Sequence, residues 1–376
     1  MLYEKILAPL LFRLDAETAH DGALKLLRSA NSRPWLQALL AGRDRPPEPR
    51  LEQTLCGMRF PNPIGLAAGV DKNGVAAAAL AALGFGFITV GSVTPGRGQP
   101  GNPRPRLFRD VPNRALWNRL GFNNRGADTL AEVLERQPKP PVPLGISLGK
   151  ALQTPIDDAF RDYAYSLEKL YPYADFFEIC ISSPNTLNLR ELQEGSRLEN
   201  LLTGLVKKAD DLARSAGMAR RKPLWPKFAP DMPPILRDIA LAKCRELLDP
   251  GIDAVIMGNT TIDPAFNPDP EKGGYSGPPL FPKALEQVCG AAARLEGSLT
   301  LVGNGGIFDG GAAYTMMKES GCPLVQVNSA FPYRGPMIAR RLAEELLQAM
   351  DRDGVRHVSE IAAWSACDSP RTAQTT

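Results

Sequence analysis

Polar residues able to do chemistry recur in this chain at one kind of place, the end of a short apolar run. Lys72 follows IGLAA (64–68), Ser92 follows FITVG (87–91), and Ser147 and Lys150 mark the end of LGISL (144–148). Ser182, Ser183 and Asn185 end FFEICI (176–181), and Lys227 lies inside LWPKF (224–228). Asn259, Thr260 and Thr261 end DAVIM (253–257), Gly305 and Gly306 follow LTLVG (299–303), and Ser329 follows LVQVN (324–328). Eight runs that each end in polar groups predict one ring of functional side chains. The stretch Val302–Gly306 (VGNGG), with Asn328 and Ser329 after the eighth run, adds a place where backbone N–H groups can approach a phosphate oxygen closely. It points to a phosphorylated cofactor or substrate. Asp71, Asp231 and Asp263 fall in three separate loops as turn or cap residues, so no metal site is expected.

The elements that must position this ring follow from the spacing. Helical patterns separate the apolar runs, for instance over 125–136, 157–170, 197–214, 233–247, 281–293 and 335–350. Strand then helix, repeated, predicts parallel strands with crossover helices. Eight repeats predict an α/β fold of the closed (β/α)8 TIM-barrel class, in which chemistry sits at the C-terminal ends of the strands. An open doubly wound sheet is the runner-up, weakened because no G-x-G-x-x-G follows the first strand. Ahead of the barrel, Leu2, Ile6, Leu7, Leu10 and Leu11 have helical spacing, Asp15 reads as the N-cap of a second helix through Ser29, and a third helix follows Pro34. The expected organisation is a helical module at 1–42, a linker and barrel-floor strands at 43–60, a barrel at 61–350 and a tail at 351–376. The module packs on the barrel or forms an apolar plate against a membrane surface or lipid-like partner.

Composition narrows the function. The 376 residues carry a formal net charge of only +3, too weak to argue for nucleic acid. Six scattered cysteines show no ligand spacing, and a chain of this size needs no disulfide scaffold, which suits a reducing cytoplasm. With only His20 and His357 available, a histidine-based metal site or a histidine-dependent triad is all but excluded. No run is apolar and long enough to span a membrane, and the N-terminus does not read as a signal peptide.

The motifs resemble one family, the class 2, membrane-associated, quinone-linked dihydroorotate dehydrogenases. The resemblance runs from the N-terminal helices to about residue 365. It rests on PNPIGLAAGVDKNG (61–74), VGSVTP (90–95), GNPRPRLFRD (101–110), NRLGFNNRG (118–126), ISSPNT (181–186), LRELQ (189–193), KFAPD (227–231), NTT (259–261), GGYSG (273–277) and the glycines of 303–306. It implies FMN in the barrel mouth, with Ala67, Ala68, Gly69, Gly91 and Ser92 along the flavin. Lys227 would sit near the flavin N1 side, favouring the reduced, negatively charged form. Ser276, Gly277, Asn304, Gly305, Gly306 and Ser329 would hold ribityl and phosphate oxygens. Lys72, Asn118, Asn185, Asn259 and Thr260 would bind the pyrimidine ring and its carboxylate, being a cation for the acid and amides able to donate and accept. Ser183 matches the general base, and Phe122 and Thr186 the proton-relay positions, so a proton passes to Ser183 while a hydride passes to flavin. His20 and Arg109 match positions beside the quinone tunnel.

The chain departs from the family pattern at several rim positions. Cys180 and Ser147 stand where the family has Asn, Gly258 where Thr is usual, and Asn328 where Tyr is usual. Pro226 precedes Lys227 inside an expected strand and should disturb its ladder. A lost hydrogen bond to a buried polar partner costs about 1–3 kcal/mol, so Cys180 alone should weaken dihydroorotate roughly ten- to a hundred-fold. On the sequence alone, reassignment to a related heterocycle or lactam is favoured over dihydroorotate itself, with a weakly catalytic flavin protein as a third reading.

Overall fold

The computed structural model describes residues 3–41, 48–247 and 252–361. Leu2 and residue 42 of the expected helical module, residues 43–47 of the expected linker-and-floor segment and residues 362–376 of the expected tail lie outside the described residues.

Eight parallel strands close into a barrel in chain order: β1 (Ile64–Leu66), β2 (Phe87–Val93), β3 (Leu144–Leu148), β4 (Phe176–Cys180), β5 (Leu224–Phe228), β6 (Ala254–Met257), β7 (Thr300–Asn304) and β8 (Leu324–Val327). Closure is made by β8 on β1, with Val327 opposite Leu66. Nearly every strand residue is buried, as it must be when helices cover the outside and side chains fill the inside. That double burial is why the strands read as continuous apolar runs. Pro226 is accommodated within β5. The ladder to β4 runs from Leu224 to Lys227 without a break, whereas paired residues on the β6 side begin only at Lys227.

Two smaller sheets finish the barrel. An antiparallel hairpin, Gln53–Leu55 with Met58–Phe60, closes the floor. Its Phe60 packs edge-on against Phe87 (centroids 5.5 Å apart), and Phe176 stacks on Trp225 at 3.9 Å beside them. At the opposite end, Leu107–Asp110, Ala115–Asn118 and Gly274–Ser276 form a three-stranded antiparallel lip over the rim. The sequence reading did not anticipate this lip.

The N-terminal residues are helical: a π-helical turn at Tyr3–Leu7, then α1 (Ala8–Leu11), α2 (Ala16–Asn31) and α3 (Pro34–Ala41). Asp15 caps α2 by accepting the Thr18 N–H at 2.9 Å, and the helix runs two residues past Ser29. Glu17 anchors α2 to the lip through Arg106 (2.7 Å) and Arg104 (2.9 Å). The cap exposes apolar side chains, among them Ile6, Leu7, Leu10, Leu14, Leu26, Trp35 and Leu39. Among the described residues no helix is long and apolar enough to cross a membrane.

Candidate active site

One cavity of about 550 Å³ runs from the N-terminal helices to the C-terminal ends of the barrel strands. Its outer end is apolar, lined by Leu7, Leu11, Leu26, Leu27 and Leu40, and its inner end is polar. Most residues singled out in the sequence meet here, because closing the barrel brings the ends of all eight strands to one rim.

Lys72 is delivered by the loop after β1. Asp71 folds that loop by accepting the N–H groups of Asn73 (3.3 Å), Val75 (3.0 Å) and Ala76 (2.7 Å). Burial pushes the Asp71 carboxyl above its ordinary range, against those hydrogen bonds. Burial also pushes the Lys72 ammonium down to about 8, while Glu17 and Asp21 pull it up. Asn185, from the loop after β4, donates its Nδ2 to Asn118 Oδ1 on the lip at 2.9 Å. Asn259, after β6, donates to Ser182 Oγ at 2.9 Å and accepts the Thr260 N–H at 2.7 Å. Thr260 lines the cavity too, and its buried hydroxyl has no partner.

Ser183 is buried at the cavity wall, its Oγ accepting only the Asn185 N–H, at 3.3 Å. Phe122 also faces the cavity, from a backbone with φ of 51°. Thr186 is buried behind the wall, and its hydroxyl too is without a partner. Arg190, which sequence reasoning missed, clamps this region. Its guanidinium donates to the carbonyls of Ser182 (3.0 Å) and Thr260 (3.1 Å) and pairs with Asp231 (2.8 Å). The loops after β4 and β6 are thereby tied together.

A second wall is built from small residues. Ala67, Ala68, Gly69, Gly277, Gly305 and Gly306 line it, with Ser276 and Ser329 hydrogen-bonded to each other at 2.6 Å. Gly306 has φ of +70°, and a Cβ there would lie 2.4 Å from the Phe281 nitrogen, so the close turn requires glycine. Gly91 and Gly258 do not line the cavity. Gly91, in β2, holds the loop after β1 from behind, its carbonyl accepting the Gly69 N–H at 2.8 Å and its N–H donating to the Asp71 carbonyl at 3.0 Å. Gly258 approaches β7 so closely that a Cβ would sit 1.6 Å from the Asn304 oxygen.

Each departing side chain has neighbours of its own. Ser147 and Ser92 share a 2.7 Å hydrogen bond, Asn304 donates to the Gly258 carbonyl at 3.3 Å, and Asn328 donates to the Ala68 carbonyl at 3.0 Å. Cys180 lines the cavity with its thiol 4.0 Å from Ser182 Oγ, and Tyr163 holds its carbonyl at 2.8 Å. Lys227 rises from β5 into the same recess. At the other end, His20 and Arg109 line the passage between cap and barrel. Burial, then the Lys72 charge, hold the His20 imidazole down to about 3, so it is neutral at ordinary pH. Arg109 donates to the Leu14 carbonyl at 2.8 Å and lies over the Phe12 ring at 4.8 Å.

Comparison with known proteins agrees with this arrangement. The dihydroorotate dehydrogenase family matches residues 50–350. The chain is 46% identical over 348 residues to a dihydroorotate dehydrogenase (quinone) of Methylococcus capsulatus, covering 90% of this chain and 97% of that one. It is 42% identical to the protein so named in Chloroflexus aurantiacus, covering 92% and 96%. In structure it is similar to the dihydroorotate dehydrogenase of Eimeria tenella, crystallised with ferulenol, with a TM-score of 0.81, 30% identity and coverage of 94% and 96%. This chain belongs to the dihydroorotate dehydrogenase family, in its class 2, quinone-linked branch.

Proposed function

We propose that this chain oxidises dihydroorotate to orotate with FMN in the barrel cavity and passes the electrons to quinone. Family membership implies a flavin; the choice of FMN rests on the small-residue wall, whose glycine turns and paired serines suit a phosphate-bearing cofactor better than a bare ring system. In this reading Ala67, Ala68, Gly69, Ser92, Ser147 and Lys227 would hold the flavin ring. Ser276, Gly277, Asn304, Gly305, Gly306, Asn328 and Ser329 take its ribityl and phosphate end. Gly91 and Gly258 shape that wall from behind.

Bound there, FMN supplies the hydride acceptor. The chain's own side chains do the rest. Lys72 holds the substrate carboxylate, and Asn118, Asn185, Asn259 and Thr260 orient the ring, with Cys180 beside it. Ser183 Oγ takes the proton from the neighbouring ring carbon. Its burial keeps bulk water from competing, and Phe122 and Thr186 line the route by which the proton leaves. His20 and Arg109 border the acceptor passage, and the exposed apolar cap leads to a membrane from which a lipophilic quinone is drawn.

The observation that carries the reading is the meeting of Lys72, Ser183 and three amides with the glycine-walled recess in one cavity. The cluster of Cys180, Ser147, Gly258 and Asn328 had favoured a different heterocycle on sequence grounds. Family-wide likeness over more than nine-tenths of the relatives' length favours dihydroorotate instead, and the hydrogen bonds at Ser147, Gly258 and Asn328 support the reading that those changes are absorbed locally. The test is anaerobic mixing of the yellow holoprotein with dihydroorotate. Flavin bleaching in the native protein, abolished in Ser183→Ala with flavin still bound, is the expected result. Colourless protein that takes up no FMN, or flavin that dihydroorotate leaves oxidised, would defeat the reading.

A further inference from the structure

A buried carboxylate, Glu178, lies one layer below the cavity in an ion pair with Lys227, and none of the steps above uses it. Glu178 on β4 is fully buried and points into the barrel. Gln326 on β8 donates to its Oε1 at 2.6 Å and, at 3.3 Å, to Thr89 on β2. The Lys227 ammonium stands 3.5 Å from Glu178 Oε2 and donates to Gln326 Oε1 at 3.3 Å. Among the described residues Glu178 Oε2 has no hydrogen-bond partner. Lys227 and Gln326 line the cavity, whereas Glu178 and Thr89 do not. The carboxylate thus reaches the cavity only through the lysine and the amide.

Stability alone does not account for such a group. A carboxylate inside a dry barrel is costly to desolvate, and a buried ion pair is often matched or exceeded in stability by apolar residues of similar volume. The floor just below shows that apolar filling is available here, with Phe87, Phe176 and Trp225 packed together. What the pair does is shape a field. Lys227 alone would present a whole positive charge to the recess. With Glu178 behind it the recess faces a dipole, whose potential falls off faster and is weaker at the same point. The Gln326 bridge also fixes where that ammonium sits.

We propose that Glu178 is a positioning residue that sets the reduction potential of the bound flavin through Lys227. The inference rests on the FMN reading. Its test is a spectroelectrochemical titration of purified holoprotein, native and Glu178→Gln. Loss of the counter-charge leaves Lys227 to favour reduced flavin, so the midpoint should move positive. The expected change is tenfold or more in the ratio of affinities for reduced and oxidised FMN, about 30 mV for a two-electron couple. Glu178→Asp, which keeps the charge but shortens its reach, should fall between the two and serves alone if the Gln variant does not fold. Equal potentials in native protein and in whichever variants fold would overturn the inference, whatever happens to their melting temperatures. So would the same positive shift in a Lys227→Met background, since Glu178 would then act without the lysine. Native protein that binds no flavin would defeat the cofactor reading and this inference together; flavin bound with unmoved potential defeats this one alone.

Discussion

Lys72 shows how a single side chain ties the site to pH. Its ammonium is pushed down to about 8 by burial. Below that pH it is charged and can hold a carboxylate; above it the lysine is neutral while the substrate acid stays ionised. The free protein's kcat/KM for dihydroorotate should therefore fall about tenfold per pH unit on the alkaline side of about 8. A profile that stays level well beyond that point would remove Lys72 as the carboxylate holder. Cys180 supports a second expectation. With dihydroorotate as the native substrate, Cys180→Asn should change turnover by less than about tenfold, because one hydrogen bond of modest net worth is added to a site already furnished with three amides. A far larger gain, alone or with Ser147→Asn, would revive the reassigned-substrate reading.

At the scale of elements, α2 and the lip depend on Glu17. The carboxylate is buried between Arg106 and Arg104. Burial raises its pKa, but the hydrogen bonds and charges of the two arginines hold it below the usual range on balance. Glu17→Gln leaves Arg106 buried without its counter-charge and should weaken docking of the cap by on the order of 3 kcal/mol. Quinone turnover should fall while bleaching of the flavin by dihydroorotate persists; equal loss of both would show that the cap serves the whole site. The barrel strands were legible because both of their faces are buried, so eight apolar runs stood out with polar residues at their ends. The lip was not, since its edge strand Leu107–Asp110 is half-buried throughout and gives no apolar run. Glu178 and Gln326 hid in the same way. Each is one polar letter inside an apolar run, and only barrel closure brings them within 2.6 Å across 148 residues of chain.

Taken as a whole, the molecule is a barrel shut at one end by an aromatic floor and roofed at the other by a lip and a helical cap. A cofactor held in such a chamber contacts most of the strand ends at once, so it should act as part of the core. FMN present at about a hundred times its dissociation constant adds roughly 2.7 kcal/mol of stability. Stripping it should lower the thermal midpoint by about 3 °C. Adding FMN should restore the loss, and riboflavin, lacking the phosphate, should restore less. Full recovery with riboflavin would argue that the Gly305–Gly306 and Ser276–Ser329 end holds no phosphate.

The apolar cap carries one more consequence, an optical one. Trp35 on α3 is 67% exposed, whereas Trp117 is 8% and Trp225 0% exposed. An indole in water emits at longer wavelength than one among acyl chains, and tryptophan favours the headgroup boundary of a bilayer. Trp117 and Trp225 are already dry and would contribute a nearly constant background. The fourth tryptophan, Trp364, lies outside the described residues; among the described ones Trp35 is the fluorophore placed where the cap would meet lipid. A blue shift on adding vesicles that disappears in Trp35→Phe would assign the contact to α3, and no shift would argue against membrane contact through this helix.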